Sequence, residues 1–203
     1  ASPHYGERMA VFWLDLVRYA DTMGYHSDNV QTKPLYREYV INAFNDNLAF
    51  DQFTREQLAG DLMPGATRRQ RIASGYNRLN MTTREGGSQP KEYIAIYLGD
   101  RVRNISGVWM ATTLGCTECH DHKFDPFTSR DFYSLGAYFA DLEETPVGPQ
   151  KYKPLPTAAQ QAEVDELKKQ LPALEAVLNT QTPALDAALA KWEAAQVMWT
   201  VLE

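Results

Sequence analysis

Apolar side chains recur at intervals of three and four residues along most of this 203-residue chain. This spacing places them on one face of an α-helix, and the alternation that is typical of β-strands is almost absent. The pattern predicts helices over residues 5–20, over 35–44 and over 91–114. We therefore expect a mainly α fold, an irregular multi-helix domain whose helices are connected by long loops.

Single residues at the ends of these segments predict where helices begin and stop. Asp51 is the expected N-cap of a third helix, and Thr67 is the expected N-cap of a fourth. Gly115 is the expected stop of the 91–114 helix. The polar segments YHSDNVQTKP and NMTTREGGSQP are rich in turn-forming residues, so we expect them to be loops over or beside a site.

The balance of charges narrows the class of partners. The chain has 26 acidic and 20 basic residues, which gives a net charge of −6. No cluster of Lys and Arg stands out, so nucleic acid is not an expected partner. No apolar run has the length of a transmembrane helix, and no leader opens the sequence. If the parent protein is exported, its signal lies outside this chain.

The C-terminal part differs in character from the rest of the chain. Residues 146–156 contain YKPLP and are predicted to be an extended linker, and residues 157–203 are predicted to form an antiparallel, coiled-coil-like helical hairpin. Thr182 and Pro183 predict the start of its second arm, and Pro172 should kink or interrupt the first. A spacer or a protein-docking role is expected of such a hairpin. The residues with this spacing are Val164, Leu167, Leu171, Leu174, Leu178, Leu185, Leu189, Trp192, Gln196 and Trp199.

The segment GCTECHDHKF contains both cysteines of the chain. Cys116-x-x-Cys119-His120 is the attachment pattern of a c-type haem, in which two thiols bond to the vinyl groups and the adjoining imidazole is the proximal ligand of the iron. A zinc site is a weaker alternative because it would need adjacent residues on one ion. A thioredoxin-like dithiol is expected beside a βαβ pattern. A plain disulfide would leave His120 unexplained. One covalently attached haem c is the predicted cofactor.

Several segments resemble one family. ASPHYGERMAVFWLDLVRYADT, REYVINAFNDNLAFDQFTREQLAGDL, GYNRLNMTTREGG and GCTECHDHKFDPFTSRDFYSLGAYFADL are similar to the large, second cytochrome c domain of planctomycete-type multi-domain proteins. The resemblance covers about residues 2–142, so we assign a c-type haem domain to residues 1–145. It implies a smaller cytochrome module before this domain, a further uncharacterised domain after it, and a chain that is a piece of a longer protein.

The second axial ligand of the iron has several candidates. His4 lies in the family-like segment SPHYGER, and His26 lies in a polar loop. Met81 would give a His/Met iron of raised potential. A surface, loop or packing role is the alternative for each of these side chains. An open or water-bound iron also remains a possibility.

Two further residues are candidates for contact with the cofactor. His122 lies in CHDHKFDP, where it, Asp121 or Asp125 could hydrogen-bond the His120 ring, contact a haem propionate or line a polar channel. Arg84, before the permissive Gly86 and Gly87, is a candidate for a propionate salt bridge. The alternative for Asp125 is a turn cap.

Three functions follow from the predicted haem. An electron-transfer module, exchanging electrons with other cytochrome domains or redox proteins, is favoured over a haem enzyme with an open distal site, in which His26, His122 or Arg84 would act on the substrate. A haem-stabilised structural or assembly module is the third. Haem attachment takes place outside the cytoplasmic membrane, which predicts a periplasmic, cell-surface or secreted location.

Overall fold

A computed structural model describes residues 2–195 of the chain. Within that range it contains eight α-helices and no strand, so the expected mainly α fold with long loops is confirmed. The chain divides into two compact units, residues 1–155 and 156–203. The helices are α1 (Tyr5–Leu16), α2 (Pro34–Asn45), α3 (Phe50–Ala59), α4 (Arg68–Ala73), α5 (Pro90–Trp109), α6 (Ser129–Ala137), α7 (Ala158–Leu178) and α8 (Pro183–Ala195).

The core of the first unit follows the predicted apolar faces. In α2, the side chains of Tyr36, Tyr39 and Val40 are buried at helical spacing. They pack with Val17, which follows α1, and with Phe53 of α3. A second, smaller cluster consists of Val102, Leu114 and Phe132. Because Leu114 lies two residues before Cys116, this small cluster fixes the position of the cysteine motif.

The N-cap prediction at Thr67 is confirmed, and the one at Asp51 is wrong. The hydroxyl of Thr67 accepts a hydrogen bond from Gln70 N, and the Gln70 side chain accepts one from Thr67 N, which completes a capping box. Helix α3 starts one residue before Asp51, at Phe50. Asp51 lies instead in the first turn, where its charge is favourable to the helix dipole and pairs with Arg55.

Two helices end earlier than their apolar patterns predict. Helix α1 stops at Leu16 because Arg18 adopts a left-handed conformation (φ 62°) and Tyr19 N donates to Leu14 O at 2.8 Å, the geometry of a Schellman cap. Helix α5 stops at Trp109, before Ala111 with φ 51°. Gly115 is therefore not its stop.

The second unit contains α7 and α8. Thr182 Oγ1 accepts from Leu185 N at 3.2 Å, as expected for the start of α8. Pro172 lies inside α7 without ending it, so the predicted interruption does not occur. The apolar side chains of both helices are exposed within this chain. Gln196 and Trp199, which complete the predicted pattern, lie outside the described residues.

Candidate functional site

The cysteine motif lies on a short 3₁₀ helix, Leu114–Glu118, which follows α5. Leu114 and Thr117 are buried, and Thr117 Oγ1 donates to Leu114 O at 2.6 Å. Cys116 and Cys119 are exposed and neither forms a disulfide. Cys116 lies within this 3₁₀ helix and Cys119 is its C-cap residue, so both belong to the same turn. Residues three apart align at three residues per turn, on a different face from the buried Leu114 and Thr117.

The imidazole of His120 is exposed and oriented by the backbone. Its Nδ1 lies 2.8 Å from Asp121 O. A carbonyl can only accept, so Nδ1 is the donor, and in the neutral ring Nε2 is the nitrogen that has the lone pair. The amide of His120 donates to Cys116 O at 3.4 Å, which closes the turn. The motif therefore presents two thiols and one unprotonated imidazole nitrogen, groups that can form covalent bonds and bind a metal.

Side chains of the neighbouring helices α5 and α6 hold this turn. Tyr133 of α6 donates its hydroxyl hydrogen to Glu118 O at 2.9 Å. The Glu118 carboxylate pairs with Arg103 of α5. A Cβ on Gly115 would lie 3.1 Å from Arg103 Nε, so a larger residue here would require the arginine side chain to shift by a few tenths of an ångström. These contacts between protein groups fix the turn.

The loop after the motif is organised around His122, not around His120. The Nδ1 atom of His122 accepts from the amides of Asp125 at 2.9 Å and Phe124 at 3.3 Å. This ring nitrogen therefore bears no proton and stabilises the turn itself. The carboxylate of Asp121 accepts from Ser129 N at 2.9 Å and so supports the start of α6. The contact to the His120 ring comes from the backbone of Asp121.

The three distal-ligand candidates have different surroundings. His4 is 76% exposed and its Nδ1 lies 3.0 Å from Glu7 Oε2. The Nε2 atom of His26 lies 2.8 Å from Glu85 Oε2 and 3.3 Å from the Tyr93 hydroxyl, so iron binding through Nε2 would have to break this pair. Met81 is 48% exposed. None of the three forms a hydrogen bond with His120 within the described residues.

Arg84 is exposed in the loop before α5. Among the described residues no carboxylate forms an ion pair with it. Its guanidinium is thus available to an anionic group, and the propionate contact stays a prediction. Residues 2–195 contain no group of three or more His, Cys, Asp or Glu side chains placed to hold a metal ion.

A cavity of about 680 Å³ in the first unit was not predicted from the sequence. Lys33 and Arg78 line it, and burial, together with the charge of Arg78, lowers the pKa of Lys33 to about 8. No local pattern could indicate these residues, because they lie on segments that are far apart along the chain. The single hint was that Lys33 belongs to the polar loop YHSDNVQTKP.

No helix in the described part of the chain is both long and apolar enough to cross a membrane, as expected.

No curated protein and no solved structure matches the chain. One family model matches residues 1–144, that of PSCyt2, described as a protein of unknown function (DUF1549). The match confirms the expected planctomycete-type family and spans nearly the range that the sequence motifs indicated. The chain belongs to the PSCyt2 family.

Proposed function

We propose that this chain is a cytochrome c domain that binds one haem covalently through Cys116 and Cys119 and transfers electrons in the cell envelope. The observation that carries the proposal is the turn itself, in which both thiols are exposed and which is followed by an imidazole whose Nδ1 lies 2.8 Å from a backbone carbonyl, so that Nε2 is the nitrogen available to a metal. When bound, the haem iron would supply one-electron redox chemistry.

Each residue of the turn has a defined part in this proposal. The sulfur atoms of Cys116 and Cys119 form the thioether bonds, and His120 Nε2 is the proximal ligand. The carbonyl of Asp121, accepting from Nδ1, fixes the ring orientation and raises the basicity of Nε2. Greater electron donation from the imidazole favours the oxidised iron, so this contact lowers the potential.

The surroundings of the turn favour electron transfer. Exposed thiols place a haem edge at the surface, where a redox partner can approach. The net charge of −6 favours partners with a basic surface, because opposite charges accelerate encounter. Other cytochrome domains, including the smaller module that the family resemblance implies, are the proposed partners. Covalent attachment outside the cytoplasmic membrane implies a periplasmic or cell-surface location.

The first test is attachment. The full chain, given an export signal and produced with the cytochrome c maturation system, should be coloured and should keep its haem in acidified acetone and on a denaturing gel. Cys116→Ala and Cys119→Ala should each remove a thioether, and the double variant should lose the covalently bound haem. His120→Ala should remove the proximal ligand and change the visible spectrum, and Lys91→Ala, at an exposed position of the first turn of α5, is the control that should leave the spectrum unchanged. Colourless wild-type protein would sink the proposal.

The second test concerns the distal side of the iron. A low-spin ferric spectrum that does not change with added cyanide supports electron transfer. A high-spin spectrum that responds readily to cyanide would favour the alternative of a haem enzyme with an open iron. His4→Ala, His26→Ala and Met81→Ala should then be compared, since only loss of the true ligand converts a low-spin spectrum to high-spin. In the third alternative, a structural or assembly module, the haem would not exchange electrons with a partner protein.

A further inference from the structure

The cavity of about 680 Å³ has the size of a small-molecule site. Residues before and within α2, around α4, and from the segment 141–155 form its wall. Its volume falls within the range of about 300–1,000 Å³ that is common for ligand pockets. Five basic side chains line it: Lys33, Arg71, Arg78, Lys151 and Lys153. None of the residues of the cysteine motif does.

Lys33 is a partly buried cation without an anionic partner. Among the described residues, the hydrogen-bond acceptor of its ammonium is Met23 Sδ, and a thioether is a weak acceptor. Within the described residues no carboxylate forms an ion pair with Lys33. Its lowered pKa has the same origin, since burial without a counter-ion disfavours the charged form.

Arg78 brings a second uncompensated charge to the same wall. Its guanidinium donates to Glu143 O at 2.7 Å and to Lys151 O at 3.5 Å, both neutral carbonyls. The nearby carboxylate of Glu144 is already paired with Arg101 at 2.9 Å, so it does not neutralise Arg78. Two cations therefore face one cavity, and their mutual repulsion would be relieved by a bound anion.

Helix α2 adds the positive end of its dipole to the Lys33 side of the cavity. Lys33 is its N-cap residue, no side chain caps the helix, and its first turn contains no acidic residue. Thr32 to Tyr36 all line the cavity, so the positive end of the helix dipole opens onto it. An anion at this position would be favoured by the dipole and by both cations together.

The wall also contains polar groups that could hold the rest of a ligand. The side-chain oxygens of Gln31 and Asn77 are buried and have no hydrogen-bond partner among the described residues. Buried polar groups that lack a hydrogen-bond partner are uncommon in protein interiors. The carboxylates of Asp61, Asp141 and Glu143 line the same cavity, and a carboxylate can accept hydrogen bonds from the hydroxyl groups of a ligand.

We propose that this cavity is a binding site for a small hydroxylated organic anion, whose charged group is held by Lys33 and Arg78 at the N-terminus of α2. The carboxylates around the cavity bind its hydroxyl groups. The site is separate from the proposed haem attachment, and either proposal can fail without the other.

The test is isothermal titration calorimetry of the full chain with glucuronate, glucose 6-phosphate and glucose. At least one of the two anions should bind with a stoichiometry of one, and neutral glucose should not. Which anion binds more tightly tells whether the site prefers a carboxylate or a phosphate. Absence of binding by both anions up to ~10 mM, a concentration that would detect even weak sites, would overturn the proposal, as would equal binding of glucose.

Variants separate this site from nonspecific charge effects. Lys33→Gln should weaken binding by about tenfold to a hundredfold, the usual range for loss of a charged hydrogen bond. Lys91→Gln, which removes the same charge from the exposed first turn of α5, should have no effect. Arg71→Gln, at an exposed part of the wall, should weaken binding about two- to fivefold. Unchanged affinity in Lys33→Gln would refute the site.

The stability of the same variant gives an independent readout. Because the Lys33 ammonium has no anionic partner to lose, Lys33→Gln should melt at or above the temperature of the wild-type chain. If Lys33 serves binding, its replacement should lower the affinity for the ligand and leave the fold intact. A marked loss of stability in Lys33→Gln would indicate a structural lysine and would contradict the proposal.

Discussion

Replacing Glu144 with glutamine removes one charge from a buried ion pair and conserves the shape of the side chain. Arg101 is 5% exposed and Glu144 is 11% exposed, and the two are joined at 2.9 Å. The guanidinium of Arg101 also donates to Asn77 O at 3.2 Å and lies over the ring of Phe139. Glu144→Gln would leave this arginine enclosed and without a counter-charge.

The expected cost follows from the geometry. Two unit charges ~4 Å apart interact by about 4 kcal/mol at an effective dielectric constant of about 20, and removing one partner of a buried pair typically costs about 3–5 kcal/mol. The glutamine oxygen still accepts a hydrogen bond from Arg101, so we expect the lower end, about 3 kcal/mol. At about 2–4 °C per kcal/mol for a chain of this size, the Tm should fall by about 6–12 °C.

The assay is thermal and urea unfolding followed by near-ultraviolet circular dichroism, which reports the packed aromatic side chains. Glu143→Gln is the matched control, because Glu143 is the exposed neighbour and contributes only its backbone carbonyl to a hydrogen bond. Its stability should change by less than about 0.5 kcal/mol. Equal melting of the Glu144 and Glu143 variants would show that the buried pair does not hold the 138–150 segment on α5.

Three further predictions concern helix packing and capping. Gly6→Ala should destabilise the fold by about 1–3 kcal/mol because its Cβ would collide with the backbone of α2. Gly107→Ala has open space at its Cβ and should stabilise the fold by about 0.5–1 kcal/mol. Parallel urea titrations measure both changes in unfolding free energy, and changes of the same sign would refute the packing argument. Thr67→Ala should cost about 1 kcal/mol in the same titration through loss of its capping box. Hydrogen bonds from the backbone and then the hydroxyl of Thr128 lower the pKa of Asp131 from 3.8, so the stability from this cap is present above that pH and is lost as pH falls through the lower folded-state pKa. Amide exchange at Thr128 should show this acid limb, and Asp131→Asn should abolish it.

The sites of the two proposals differ in how far the chain sequence reveals them. The cysteine motif is a contiguous stretch of five residues, so its spacing alone indicated the cofactor to propose. Its orientation needed the fold, because Leu114 and Thr117 turn inward only when α5 and α6 provide something to pack against. The cavity combines single residues from several elements, and no local spacing encodes such a set.

Buried polar residues of the core also cannot be identified from local spacing in the sequence. Glu56 and Gln57 are buried in α3, where an apolar pattern alone predicts Phe53 and Leu58 as the inward side chains. Tyr39 donates to Glu56 at 3.0 Å and Tyr36 donates to Gln57 at 2.6 Å. A polar residue can be buried when a partner from another helix satisfies it. That partner cannot be identified from spacing.

The sequence by itself determined the helical class, the Thr67 cap, the family and the exposed chemistry proposed for Cys116, Cys119 and His120, because each depends on residues that are close along the chain. The tertiary structure decided where α1 and α5 end, which polar groups are buried, and which distant cations share a cavity. These features arise from contacts between segments, and the free energy of such contacts depends on their geometry in three dimensions and not on local spacing.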